Sequence, residues 1–223
     1  MEFTRIYSIH DHAITFEFAA IISEEINTRV IGLKKLIEQK PFDGLIECVP
    51  AYSSLTVYFK KTADRNQIID SVNSYNKALK IENQQDPTDI KIIPVCYELG
   101  EDLKQVAAEL NMQMSEVIQL HSKPLYTVYM IGFLPGFPYM GILPEQLELP
   151  RKKTPSLRIP AGSVAIAGKQ TGIYPSESPG GWHLIGKTPL KMFDEKRNPR
   201  CFLRAGDKVQ FQPISKKEFD QSA

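Results

Sequence analysis

Tyr129-Met130-Ile131-Gly132-Phe133-Leu134-Pro135-Gly136-Phe137-Pro138-Tyr139-Met140-Gly141 cannot stay in one regular element for long. Glycine accepts the positive φ that other residues resist, and proline fixes φ and carries no donor. Together they hold an irregular main chain in one shape while the aromatic rings pack around it. A shaped, rigid loop is typical of a binding site. The plain alternative is a corner where one β-strand turns into the next.

The same texture spreads on both sides of this stretch. Nine of the 13 glycines (132, 136, 141, 162, 168, 172, 180, 181 and 186) fall within it, so the region is built from turns. Between them run short strand-like segments: Tyr126 to Ile131, Ser163 to Ala167, His183 to Ile185 and Lys208 to Phe211. Many short strands with Gly/Pro punctuation predict a β-barrel or a sandwich. Just before it, Asp102 to Leu110 and Met114 to His121 read as two short helices, the second with Ser115 as cap and Pro124 as stop.

Toward the N-terminus the pattern changes. Ala13-Ile14-Thr15-Phe16-Glu17-Phe18 alternates as a strand does. Ser23 then caps a helix whose first turn carries Glu24 and Glu25 and whose apolar face is Ile26, Val30, Leu33 and Ile37. Strands Leu45 to Val49 and Ser54 to Phe59 follow, joined by Pro50 to Ser53. Asp64 with Gln67 opens a second helix burying Ile68, Val72, Tyr75 and Leu79. After a polar linker, Glu82 to Asp89, comes the strand Ile90 to Cys96. The order β-α-β-β-α-β is that of a ferredoxin-like split βαβ unit. The fold class expected is therefore α+β at residues 1–89, followed by a mainly-β domain at 90–223, with the last strand shared between them.

Composition narrows the function. Lys+Arg number 27 against 26 Asp+Glu, a balance that argues against a nucleic-acid binder. No apolar run nears the roughly 20 residues needed to span a bilayer, and no signal-peptide core follows Met1, so no membrane association and a cytoplasmic location are expected. Cys48, Cys96 and Cys201 are far apart and read as three buried small hydrophobes. No histidine stands in a metal-ligand pattern, so no metal is expected. His121 reads as a hydrogen-bonded structural histidine; His183 does too, but gains interest beside Trp182 and the Gly-Gly turn.

Three runs carry a resemblance. Gly132 to Gly141 fits G-F-x-P-G-F-x-Y-x-G, Pro160 to Pro175 fits P-A-G-S-V-A-I-A-G-x-Q-T-G-I-Y-P, and Ser178 to Pro189 fits S-P-G-G-W-x-L-I-G-x-T-P. In these runs the chain resembles the PxpB/KipI family, also described as subunit 1 of allophanate-hydrolase-like proteins. The resemblance implies a cyclophilin-like barrel for the C-terminal part. It implies a subunit, inactive alone, of an ATP-dependent 5-oxoprolinase that opens 5-oxo-L-proline to L-glutamate. It implies two partners, a second carboxyltransferase-like subunit (PxpC type) and a LamB/YcsF-type protein (PxpA type), with ATP and Mg shared among them. Within the family the alternatives are a KipI-like inhibitor of a sensor histidine kinase and an allophanate or urea-metabolism subunit.

Opening a lactam is hard because its amide is resonance-stabilised. Activation by phosphoryl transfer needs cations or N–H donors around the phosphates. Candidate donors are Arg158, Lys169, Gln170 and the main chain of the Gly162-Ser163 and Gly180-Gly181 turns. Tyr174 and Trp182 are candidates for an apolar wall, with Phe133, Pro135, Gly136 and His183 as further pocket candidates. Arg151-Lys152-Lys153 reads as solvated surface charge. Gly181 to Thr188 matches G-x-x-x-x-G-K-[ST], but Trp-His-Leu-Ile in the loop positions reads as a strand, and Pro189 blocks the helix a phosphate loop needs.

Overall fold

Arg5–His10 (β1) turns back antiparallel on Ala13–Glu17 (β2), which in turn pairs with Ser54–Phe59 (β4), itself paired with Leu45–Pro50 (β3). The computed structural model describes residues 1–80 and 90–222. It divides the chain into two compact units, Met1–Asp86 and Pro87–Ala223. The first is the four-stranded sheet β1-β2-β4-β3 with helices Glu24–Gln39 (α1) and Arg65–Ala78 (α2). Ser23 Oγ accepts from Ile26 N–H, and Asp64 Oδ1 accepts from Asn66 and Gln67 N–H, so both helices begin where their caps predict. Ile26, Val30, Leu33 and Ile37 are buried against Ile14, Phe16, Leu55 and Val57, with Ile68 and Val72 closing the same core. Tyr75 and Leu79 are only partly buried; Tyr75 spends its hydroxyl on the Lys40 carbonyl at 2.7 Å.

The α+β character stands, with one strand exchanged. Ile90–Val95 (β5), expected to close the split βαβ order and to be shared between the two domains, instead pairs parallel with Lys208–Pro213 (β13). The sheet edge beside β2 is filled by β1, whose hairpin returns through His12. Strand pairing is decided by which partner is nearest, which periodicity does not encode. The polar linker read at Glu82 to Asp89 lies outside the described residues.

In the second unit a mixed sheet runs β12-β9-β10-β7-β6-β13-β5. Its remaining strands are Leu125–Ile131 (β6), Pro138–Gly141 (β7), Ser163–Ala167 (β9), Gln170–Ile173 (β10) and His183–Lys187 (β12). The sheet curls until its edges meet: Cys96 N–H donates to the Lys187 carbonyl at 2.8 Å, and Lys187 N–H to the Cys96 carbonyl at 3.0 Å. Two glycines make this seam possible. A β-carbon on Gly186 would sit 2.6 Å from Val95 Cγ1, and one on Gly100 would sit 2.3 Å from the Ile185 carbonyl. Ser156–Ile159 (β8) and Ser178–Gly180 (β11) form a separate ribbon.

Leu103–Glu109 (α3) and Met114–Ser122 (α4) pack with the sheet around one apolar cluster that includes Val106, Val117, Tyr126, Val164 and Phe211. The cap of α4 is not Ser115. Glu116 reaches back to accept the Gln113 N–H at 2.6 Å, so Gln113 is the cap, two residues earlier. His121, fully buried, is hydrogen-bonded at both ring nitrogens, to Tyr97 Oη at 2.7 Å and Thr171 Oγ1 at 2.8 Å. Thr171 gives its one proton to the Ala165 carbonyl at 3.0 Å, so Nε2–H of His121 must donate and Nδ1 must accept from Tyr97. Burial holds this imidazole neutral, pushing its pKa down to about 3.

Two smaller expectations change. Cys48 and Cys96 are buried, but Cys201 is only half-buried, because it bridges Phe193 in a surface loop rather than a sheet. The phosphate-loop-like run is strand β12, continuing into irregular chain at Thr188.

Candidate functional site

Phe137 is the hub of an aromatic cluster. Its ring makes edge contacts with Phe133 (5.7 Å), Tyr174 (5.1 Å) and Trp182 (5.6 Å) and tilts against Tyr139 (4.8 Å). Each such pair adds about 1 kcal/mol beyond area burial, so the cluster holds its own shape. A hollow of about 260 Å³ opens over it. From the first glycine-rich run Phe133, Phe137 and Tyr139 line it; from the second, Tyr174; from the third, Pro179, Gly180, Gly181 and Trp182. The volume is just below the roughly 300 Å³ at which pockets for drug-sized ligands begin, which suits a small metabolite.

The glycines and prolines serve this geometry locally. Gly180 lies so close to Tyr174 that a β-carbon would stand 2.3 Å from the phenol oxygen. Gly172 leaves its missing side chain to Phe137, whose Cζ would be 2.8 Å from a β-carbon. Phe133 takes φ 66°, a left-handed backbone that a bulky residue adopts at a cost of about 1–3 kcal/mol, and its ring stays 62% exposed at the rim. Burial pushes the Tyr174 hydroxyl up to about 12, against opposing pulls from the Trp182 main-chain hydrogen bond and the Arg151 charge. Tyr139 is also raised by burial, and Arg151 again opposes.

Of the residues singled out in the sequence, Phe133, Tyr174, Gly180, Gly181 and Trp182 share this hollow. The others lie elsewhere. Pro135 and Gly136 form the turn behind it, Gly136 at φ 84° against Met192 and Phe193. Arg158 is exposed on β8, ion-paired with Glu177 at 2.6 Å. Gly162 (φ 83°) donates its N–H to the Tyr174 carbonyl and accepts from Thr188, while Ser163 N–H and Oγ both turn to the Pro160 carbonyl. Those N–H groups are therefore already engaged. Gln170 opens β10 opposite Gly141 and Ala167. His183 is buried and its Nε2 donates to the Pro150 carbonyl at 2.8 Å, leaving Nδ1 without a partner. Lys169 faces Glu148 at 3.5 Å.

Sequence reasoning missed the basic run. Arg151 lines the hollow with Pro155. Lys152 is no solvated charge: its ammonium, side chain 14% exposed, pairs with Asp102 at 2.7 Å and donates to Ser156 Oγ at 2.9 Å. Asp102 Oδ2 also accepts the Leu184 N–H at 2.7 Å. Nothing local marks this, since Asp102 and Lys152 are 50 residues apart. Among the described residues no group of three or more His, Cys, Asp or Glu could hold a metal ion, and no helix is long and apolar enough to cross a membrane.

The family described as "Carboxyltransferase domain, subdomain C and D" matches residues 4–203. The chain belongs to it. Similar members of this carboxyltransferase C/D family include proteins named as a subunit of 5-oxoprolinase. The one from Bacillus subtilis (strain 168) is 41% identical, with 96% of this chain and 95% of the other covered. The one from Escherichia coli O157:H7 is 37% identical over 96% and 97%. Among solved structures, TTHA0988 is 39% identical with TM-score 0.81, and the match covers 91% of this chain but only 40% of the other. The Kluyveromyces lactis urea amidolyase, 17% identical with TM-score 0.76 over 97% of this chain and 15% of the other, shares the fold.

Proposed function

We propose that this carboxyltransferase C/D chain is the PxpB-type subunit of an ATP-dependent 5-oxoprolinase, and that the aromatic hollow receives 5-oxo-L-proline. The observation that carries the reading is the meeting of all three glycine-rich runs around one hollow, in a chain about 40% identical along nearly its whole length to proteins named as 5-oxoprolinase subunits. Flat rings above Phe137, Tyr139 and Trp182 suit a small cyclic amide, and exclusion of water there strengthens each polar contact the substrate makes. The part of this chain is to bind, orient and desolvate the ring.

The hollow does not fit a triphosphate. Arg151 is the only cation among the described residues that line it, and the Gly162 and Ser163 N–H groups are taken by carbonyls. No acidic cluster for magnesium is found among the described residues. We therefore assign ATP and Mg to the assembly, with the phosphates held by partner proteins, which we take to be a second carboxyltransferase-like subunit and a LamB/YcsF-type protein. The test is co-expression of the three proteins and an assay of ATP-dependent glutamate release from 5-oxo-L-proline. Release should require this chain and should fall at least about tenfold with Trp182→Ala, as expected for loss of a central aromatic anchor. Undiminished release without the chain would remove the proposal.

A further inference from the structure

Among the described residues that line the aromatic hollow, Arg151 is the one charged side chain. Among the described residues no carboxylate pairs with it, whereas Lys152 is tied to Asp102 and Arg158 to Glu177. Its main chain is pinned on both sides. The Pro150 carbonyl accepts from His183 Nε2 at 2.8 Å, and Lys152 N–H donates to the Gly181 carbonyl at 2.7 Å. Lys152 is further anchored through Asp102, which also holds Leu184 of β12. A flexible cation has thus been given a fixed base beside Gly181 and Trp182.

We propose that Arg151 is the specificity-determining residue of the hollow, its guanidinium receiving the carboxylate of a small cyclic amide whose ring stacks among Trp182, Phe137 and Tyr139. This rests on the reading of the hollow as the 5-oxoproline site. A guanidinium offers two parallel N–H donors that match a carboxylate, and Arg151 is exposed at the hollow, where a ligand can reach it. The charge already reaches the hollow, since it counteracts the effect of burial on both Tyr139 and Tyr174. Asp102, Lys152 and His183 are positioning residues that act through the backbone of Arg151. The site then separates the acid 5-oxoproline from neutral lactams of the same ring.

The experiment uses the assembled oxoprolinase carrying Arg151→Gln, Arg151→Lys or Trp182→Leu. A hydrogen bond to a charged group is worth enough to raise KM for 5-oxo-L-proline by roughly 10- to 100-fold in Arg151→Gln, with less loss in Arg151→Lys and kcat held within about threefold. The inhibition constant of neutral 5-oxoprolinamide should stay within about twofold of wild type, because that ligand has no carboxylate to lose. Trp182 is the chain's only tryptophan, so its fluorescence reports whether each variant at position 151 keeps the hollow folded. If KM is unchanged in Arg151→Gln but rises in Trp182→Leu, the hollow remains the site and the role of Arg151 is wrong. If neither variant alters KM or kcat, the hollow is not the substrate site and both readings fall together. A parallel weakening of acid and amide in Arg151→Gln would also overturn the proposal.

Discussion

A β-carbon built on Gly180 would stand 2.3 Å from the Tyr174 hydroxyl and 2.8 Å from Ile159 Cδ1. Neither neighbour is free to give way, because Tyr174 and Ile159 are both buried in the cluster under the hollow. Overpacking of this kind costs about 1–3 kcal/mol. Gly180→Ala should therefore lower the thermal midpoint by roughly 3 °C or more, and it should raise KM for 5-oxo-L-proline in the assembled enzyme, since the wall it displaces is the wall the ligand touches. An unchanged midpoint together with an unchanged KM would mean that Tyr174 moves aside without penalty. At this scale the sequence was a good guide to aromatic and glycine positions, because glycine, proline and aromatic residues recur together in three runs, 132–141, 160–175 and 178–189. It held no hint of Arg151, whose importance comes from carbonyls and an acid far away in the chain.

Elements with local causes were legible. Helix α1 begins at its serine cap with two glutamates in the first turn and buries the apolar stripe that its spacing predicts. Helix α2 begins at Asp64 for the same kind of reason. Strand β5 was visible as a strand, but its partner was not: alternation specifies faces, and the choice between two sheets is made by long-range packing. The seam between β5 and β12 belongs to the same class, held by one pair of hydrogen bonds and two close glycine approaches. Gly100→Ala drives a methyl group into the Ile185 carbonyl. It should destabilise the second unit by roughly 2–4 kcal/mol, combining overpacking with weakened hydrogen bonds. Amide exchange at Cys96 and Lys187 should accelerate well beyond that elsewhere in the barrel, and uniform exchange rates would show that the seam is not the weak line.

For the molecule as a whole, acid acts through the second unit and alkali through both. His121 of the second unit has its pKa pushed down to about 3 by burial, from an ordinary 6.5. The unfolded chain then binds the extra proton first. Stability from this group is complete above pH 6.5 and is lost as pH falls toward 3, approaching a factor of ten in the folding constant per pH unit. In the first unit, burial pushes the Cys48 thiol up to about 12, from 9. Its contribution is complete below pH 9 and is lost as pH rises toward 12, and Tyr174 adds a similar loss in the second unit from pH 10 upward. Calorimetry at pH 5 should therefore show the unit carrying Trp182 melting earlier than at pH 8, with tryptophan fluorescence moving ahead of far-ultraviolet circular dichroism. Coincident shifts of both signals would contradict this assignment.

The position of β13 has a consequence for synthesis. This strand lies between β6 and β5 and, among the described residues, forms the only parallel pair in the sheet, yet it follows all the sheet's other strands in sequence. A ribosome releases every other strand of the barrel before it. Until Lys208–Pro213 emerges, the nascent protein carries two open rims of unpaired peptide groups facing one vacant slot. The last strand is the keystone: the barrel is completed by insertion, once all its other strands have been made.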